Sequence, residues 1–197
     1  MPGAAMAAFH SPALLAALVL VLAACAKAPA EPDAPASAAP APQVAPLAWD
    51  APGTWAKVDV PSGGSEKARY RVEGAADAEV HVFFFGTGSK GDPAQVFKGW
   101  FAQFDGDVGS VASHEKIKAG ALDVETVEVR GTYKIALAPT PRGRKEAPVS
   151  MVKKDYRLAG AVVRTADRGN WFFQMVGPDD VVQAARPAFR RMLESAR

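Results

Sequence analysis

Two runs of three consecutive aromatic residues, Phe83-Phe84-Phe85 and Trp171-Phe172-Phe173, constrain the fold more than any other feature of the chain. They lie in AEVHVFFFG, residues 78–86, and YRLAGAVVRTADRGNWFFQMVG, residues 156–177. Such β-branched and aromatic stretches punctuated by glycine read as strands, the second with a turn at 167–170. A strand sends neighbouring side chains to opposite faces, so three aromatics in a row load both faces with large apolar rings. Both faces must then be covered, or one stays exposed as an aromatic patch of a size that monomers rarely show. Covering by two amphipathic helices is the expectation; a groove facing a partner or lipid is the alternative.

Both helices are legible. Asp92 is a good N-cap and Pro93 suits the first helical position, after which Val96, Phe97, Trp100, Phe101 and Phe104 recur on one face. From Pro178, Asp179 and Asp180 complement a helix N-terminus, and Val181, Val182, Ala185, Phe189, Met192 and Leu193 make an apolar stripe. Pro187 lies inside this second helix and is expected to kink or divide it. KARYRVEG, residues 67–74, is a further strand, and HEKIKAGALDVETVEVRGTYKIAL, residues 114–137, alternates around Ala119 and Gly120 as a hairpin facing water on one side. APTPRGRKEAPVSMVKKD, residues 138–155, reads as a long polar loop. Antiparallel strands with two amphipathic helices predict an α+β domain, one antiparallel sheet with helices packed on it.

That domain spans residues 48–197, a normal length for a single core. It carries 22 basic and 19 acidic residues, too mild a balance to argue for nucleic acid. The segment before it has a different character. Residues 1–24 contain no Asp, Glu, Lys or Arg, and their apolar core, Ala13 to Ala24, is 12 residues long. A membrane-spanning helix needs about 20, so a signal peptide is the better reading. The core ends in Leu22-Ala23-Ala24-Cys25, which resembles the lipobox of bacterial lipoproteins. The resemblance implies cleavage before Cys25, acylation of that residue, and anchoring of the chain to a membrane. Several acyl chains hold a protein stably where one does not. The resemblance departs in one respect, because the segment before the core offers only His10 and the terminal amine where Lys or Arg is usual.

Cys25 is the only cysteine, so the mature domain has no disulfide and no cysteine nucleophile or metal ligand. Residues 25–47 comprise this cysteine and an Ala/Pro-rich linker that cannot bury enough surface to order itself. Its 21 residues from Ala26 to Pro46 reach up to about 65 Å in extended polyproline form. Ala26 stands where enterobacterial lipoproteins retained at the inner membrane carry aspartate, so the resemblance implies the outer membrane, facing the periplasm.

The order of elements resembles a second family. The ending GNWFFQMVGPDDVVQAARPAFRRMLESAR, where an aromatic strand turns through Gly-Pro into a closing helix, looks like the superfamily of PsbP-type photosystem extrinsic proteins and DcrB-type bacterial lipoproteins. The resemblance covers most of residues 52–197. It implies a PsbP-like sandwich and accessory, binding or assembly roles more than catalysis, and transfers no site residue.

Little in the chain points to chemistry. Gly86-Thr87-Gly88-Ser89-Lys90-Gly91 is a literal GxGxxG, with Asp105 and Asp107 about twenty residues on. Its helix-capping signal follows the third glycine, where a dinucleotide fold opens the helix within the motif. A strand-to-helix loop is the reading taken, with an anion held near Lys90 as the weaker variant, and no cofactor is expected. Beyond the signal only His81 and His114 could act as imidazole bases; His81 alternates with Val80 and Val82 on a sheet face, and His114 sits at a strand start. No GxSxG elbow is present and no His, Asp or Glu set has metal-site spacing, so neither an enzyme nor a metal protein is expected. Arg142, Arg144, Lys145, Lys153 and Lys154 concentrate positive charge in the polar loop, a solvated loop on the plain reading. With Lys90 they are the candidate contacts for an acidic partner or anion. The expectation is a non-catalytic, membrane-anchored envelope lipoprotein that binds or scaffolds another envelope protein. A small periplasmic hydrolase and a carrier of an apolar ligand, in a pocket lined by residues such as Phe84, Trp100 or Phe172, are the alternatives.

Overall fold

The computed structural model describes residues 46–88, 91–136 and 150–197. Seven strands form one sheet: β1 (Ala56–Val58), β2 (Glu66–Arg71), β3 (Glu79–Phe84), β4 (Ser113–Ala119), β5 (Leu122–Ala136), β6 (Ser150–Arg164) and β7 (Asn170–Pro178). The spatial order is β1-β2-β3-β7-β6-β5-β4, and every neighbouring pair is antiparallel. Helix α1 (Pro93–Phe101) and a short 3-10 turn (Val108–Val111) link the two meanders, and α2 (Asp179–Glu194) closes the chain. This is the predicted α+β arrangement.

The aromatic triples sit where the two meanders join, Phe83 opposite Phe172 and Phe84 opposite Trp171. Their side chains divide between two cores. On one face Trp171, Phe173 and Phe84 pack with Val80, Val82 and Met175 beneath Val182, Phe189, Met192 and Leu193 of α2. On the other, Phe172, Phe83 and Phe85 pack with Leu158 and Val162 beneath Phe97 and Trp100 of α1. Phe172 and Phe173 are fully buried although adjacent. The two helices cover both faces of the central strands, as expected from the triples.

Most local signals behave as their chemistry dictates. Phe104, expected on the face of α1, lies beyond its end in a bridge to Tyr133 of β5, and there are two larger exceptions. Asp92 caps α1, its Oδ1 accepting from the Ala94 N–H at 3.3 Å, and Gly120 makes the β4–β5 turn with φ +55°. The first exception is the expected loop over 138–155. Residues 137–149 lie outside the described residues, but Ser150 to Asp155 belong to β6, so Lys153 and Lys154 stand on a strand. Residues 150–153 pair with residues 133–136 of β5 beyond the reach of β4 and β7, forming a two-stranded ribbon whose β5 side meets Phe104 in a bridge at Tyr133. Its β6 side has no further strand beside it and is mostly exposed, so that sequence needs no apolar alternation. The ribbon joins the sheet at a bulge where Asp155 adopts φ +55°.

The second exception is Pro187, which does not divide α2. Proline removes the hydrogen bond to the carbonyl four residues earlier, Gln183. Both residues are exposed, so water can take up that carbonyl. The packed region begins at Leu47, which is buried, and Ala48 and Arg197 exchange backbone hydrogen bonds at 2.9 and 3.0 Å. Among the described residues no helix is long and apolar enough to cross a membrane.

Candidate functional site

Helix α1 covers β6 and β7 and stops short of the edge of the sheet, which leaves a groove of about 650 Å³ between the helix and strands β4 to β6. Its two walls differ in chemistry. Phe97 and Phe101 of α1, with Val108 of the 3-10 turn, form an apolar wall. The opposing wall is charged: His114 of β4, Glu125 of β5 and Arg164 of β6. Register puts them on one face, since His114 lies opposite the buried Val127 and Glu125 opposite Val162. The Arg164 Nη2 donates to Glu125 Oε2 at 2.6 Å, and His114 Nδ1 lies 3.6 Å from the other oxygen. The Arg164 hydrogen bond, above all, holds the Glu125 carboxyl below the usual carboxylate range. A volume of this size with a mixed lining suits a small molecule or a few side chains of a partner.

A second polar cluster lies on the same face at β2 and β3. Glu66 accepts from Arg69 Nε and Nη2 at 2.9 and 2.7 Å, and its Oε1 lies 2.7 Å from His81 Nδ1. The other ring nitrogen is 3.5 Å from Glu79, and the ring stacks on Phe83. The Arg69 hydrogen bond is the main reason the Glu66 carboxyl stays below its ordinary range. With both ring nitrogens turned to carboxylates, His81 has no nitrogen directed at a hydroxyl, the contact a general base requires.

The other sequence candidates are dispersed. Cys25, Lys90, Arg142, Arg144 and Lys145 lie outside the described residues. Lys153 donates to Asp77 at 3.2 Å, beside Tyr156, in a smaller hollow of about 390 Å³ that Tyr133, Ile135 and Met151 also line. Lys154 is exposed. The pocket expected of an apolar carrier is filled by protein: Trp100 packs edge-on against Phe172 and sits directly on Gly160. The GxGxxG segment has none of the parallel βαβ context that a dinucleotide needs. Gly91 ends a turn onto the Gly88 carbonyl, its own carbonyl accepts from Asn170 at 2.9 Å, and α1 begins only afterwards. Asp105 follows α1 and pairs with Lys134. Among the described residues no group of three His, Cys, Asp or Glu side chains is placed to hold a metal.

Glu125 and Arg164 were not singled out from the sequence. They meet through the β5–β6 register and are 39 positions apart, so no local spacing signals them.

No family model matches the chain, and no curated protein matches it. Among solved structures it is similar to the solution structure of cyanobacterial PsbP (CyanoP) from Synechocystis sp. PCC 6803. The TM-score is 0.44 at 13% identity, over 78% of this chain and 93% of that one. The α+β assignment rests on the sheet and helices described above.

Proposed function

We propose that this chain is a lipid-anchored protein of the bacterial envelope, held at the outer membrane through Cys25, whose domain is a non-catalytic binding module for another envelope protein. The observation that carries the reading is the groove beside α1. Phe97, Phe101 and Val108 line it with apolar surface, and His114, Glu125 and Arg164, with Asp92, Lys98 and Asp107, line it with charge, the mixture that protein contacts with an apolar centre and a polar rim use. The linker over residues 26–46 gives the domain reach from the membrane. Lys90, Arg142, Arg144, Lys145 and Lys154 add positive charge that favours an acidic partner or an anionic surface, whereas Lys153 is already engaged by Asp77.

A hydrolase centred on His81 is disfavoured by its two carboxylate neighbours, and a carrier by the tryptophan that fills the space beneath α1. Palmitate labelling together with crosslinking in intact cells tests the proposal, comparing wild type with Cys25→Ser. The expected result is label on wild type only, and a specific protein partner recovered far better with wild type. Equal labelling of both forms would remove the anchor. An empty partner list from correctly membrane-attached protein would remove the binding module.

A further inference from the structure

We infer that the partner engages this domain by adding an extended segment, acidic at alternate positions, to the free edge of β4. The inference rests on the binding-module reading above and specifies its partner.

The sheet has two edges, β1 and β4. β1 is three residues long, a length too short to template a partner strand, whereas β4 has seven residues in unbroken register with β5. Among the described residues, no backbone hydrogen bond reaches the side of β4 away from β5. In an edge strand, alternate N–H and C=O groups point outward to water, available for pairing.

The two faces of this edge are chemically distinct. Their register places His114, Lys116 and Lys118 opposite Val127, Glu125 and Asp123, on the α1 side. Glu115, Ile117 and Ala119 face α2, where Ile117 and Ala119 join the core and Glu115 meets Arg190 at 2.9 Å. Lys118 is paired with Asp123. Lys116 is not so placed: the Glu125 opposite it is occupied by Arg164 and His114, and Lys116 makes no ion pair among the described residues. A strand laid along β4 would set every second side chain beside Lys116 and Lys118, at the mouth of the α1 groove that His114 helps to line. Its intervening side chains would lie towards the α2 side. There a groove of about 340 Å³ between α2 and the sheet has Ile117, Phe189 and Leu193 among its lining. The matching ligand is therefore a segment alternating acidic and apolar residues, bound by main-chain pairing with specificity from alternate side chains.

The same lysines select against the other obvious occupant. A second copy pairing β4 with β4 about a two-fold axis would lay the face carrying Lys116 and Lys118 beside the same face of its partner, setting Lys116 against Lys116 or Lys118, and like charges directly opposite are unfavourable. Lysines on an edge commonly serve only to prevent such pairing. Here the same lysines also admit a strand of opposite charge.

The test uses the full chain in detergent and a capped heptapeptide alternating glutamate and valine, with a lysine-valine peptide as control, followed by amide hydrogen exchange. The acidic peptide should slow exchange at outward amides within Ser113–Ala119 at least about tenfold and leave β1 unchanged, since exchange then requires dissociation. Lys116→Glu should weaken peptide affinity about 3–10-fold at low salt, as expected for turning one exposed attraction into a repulsion. Unchanged exchange in β4 with peptide in excess would overturn the inference, as would equal protection by the lysine peptide. Protection that appears without peptide and rises with protein concentration would identify self-pairing and also overturn it. If β4 fails but the crosslinked partner of the previous section is still recovered, the binding-module reading stands and only the edge mode falls.

Discussion

Replacing Gly160 with alanine should destabilise the domain, whereas the same replacement at Gly99 should stabilise it. A Cβ at position 160 would stand 2.4 Å from Trp100 Cζ3, 2.8 Å from Cε3 and 3.1 Å from Val127 Cγ2. Trp100 is buried between α1 and the sheet, so it cannot move without lifting the helix from its core. Overpacking of this kind costs about 1–3 kcal/mol. Contacts of 2.4 and 2.8 Å place the cost in the upper part of that range, about 2–3 kcal/mol, and reduced freedom of the unfolded chain returns roughly 0.4–1 kcal/mol, leaving a net loss of about 1–2.6 kcal/mol. At exposed Gly99, within α1, nothing lies within 4 Å of a new Cβ, and the helix gains about 0.8–1 kcal/mol. Urea unfolding followed by tryptophan fluorescence, with unchanged m-values, measures both. Adding Trp100→Leu should make Gly160→Ala nearly neutral, a coupling of about 1 kcal/mol or more. A Gly160→Ala variant within about 0.5 kcal/mol of wild type would refute the packing of α1 through Trp100 onto the sheet, and with it the position of the groove wall.

Three further predictions concern other parts of the fold. Pro187→Ala should stabilise the domain by roughly 1–3 kcal/mol, because it restores a helical hydrogen bond to Gln183 in an unbroken, exposed turn; a loss of stability would show that the proline is needed there. Gly177→Ala should cost about 1–3 kcal/mol, since its Cβ would lie 2.6 Å from the Ala78 Cβ and 2.9 Å from its Cα, and a neutral thermal shift would contradict that contact. Glu66 has a folded pKa below its ordinary value, so its contribution is fully present above that value and is lost as pH falls through the folded one. Glu66→Gln should therefore be less stable than wild type near neutral pH and lose less on acidification to about pH 3; parallel curves would show that the Arg69 and His81 contacts contribute nothing.

Much of the fold was legible because its strongest signals are local. Asp92-Pro93 marks the start of α1, and the stripe from Val182 to Leu193 marks the buried face of α2. The aromatic triples required cover on both faces, which the two cores provide. The β6 extension was not legible. Residues 150–153 pair only with the end of β5, and 151–155 are mostly exposed, so nothing selects apolar residues at alternate positions, and VSMVKKD resembles a loop. The continuity of α2 through Pro187 depends on exposure, which a sequence does not state. The groove was illegible for a further reason. Phe97 and Phe101 were assigned to a helix face correctly, but their meeting with Glu125 and Arg164 depends on how far α1 reaches across the sheet.

Site-specific photo-crosslinking in intact cells shows whether the domain binds a protein through the α1 side of its β4 edge. Crosslinkers would be placed at Lys98 and Lys116, beside the groove, and at Ala184, on the exposed side of α2. One discrete protein adduct is expected from positions 98 and 116 and none from 184. An adduct from position 184 alone, or the same adducts from all three positions, would contradict that binding mode.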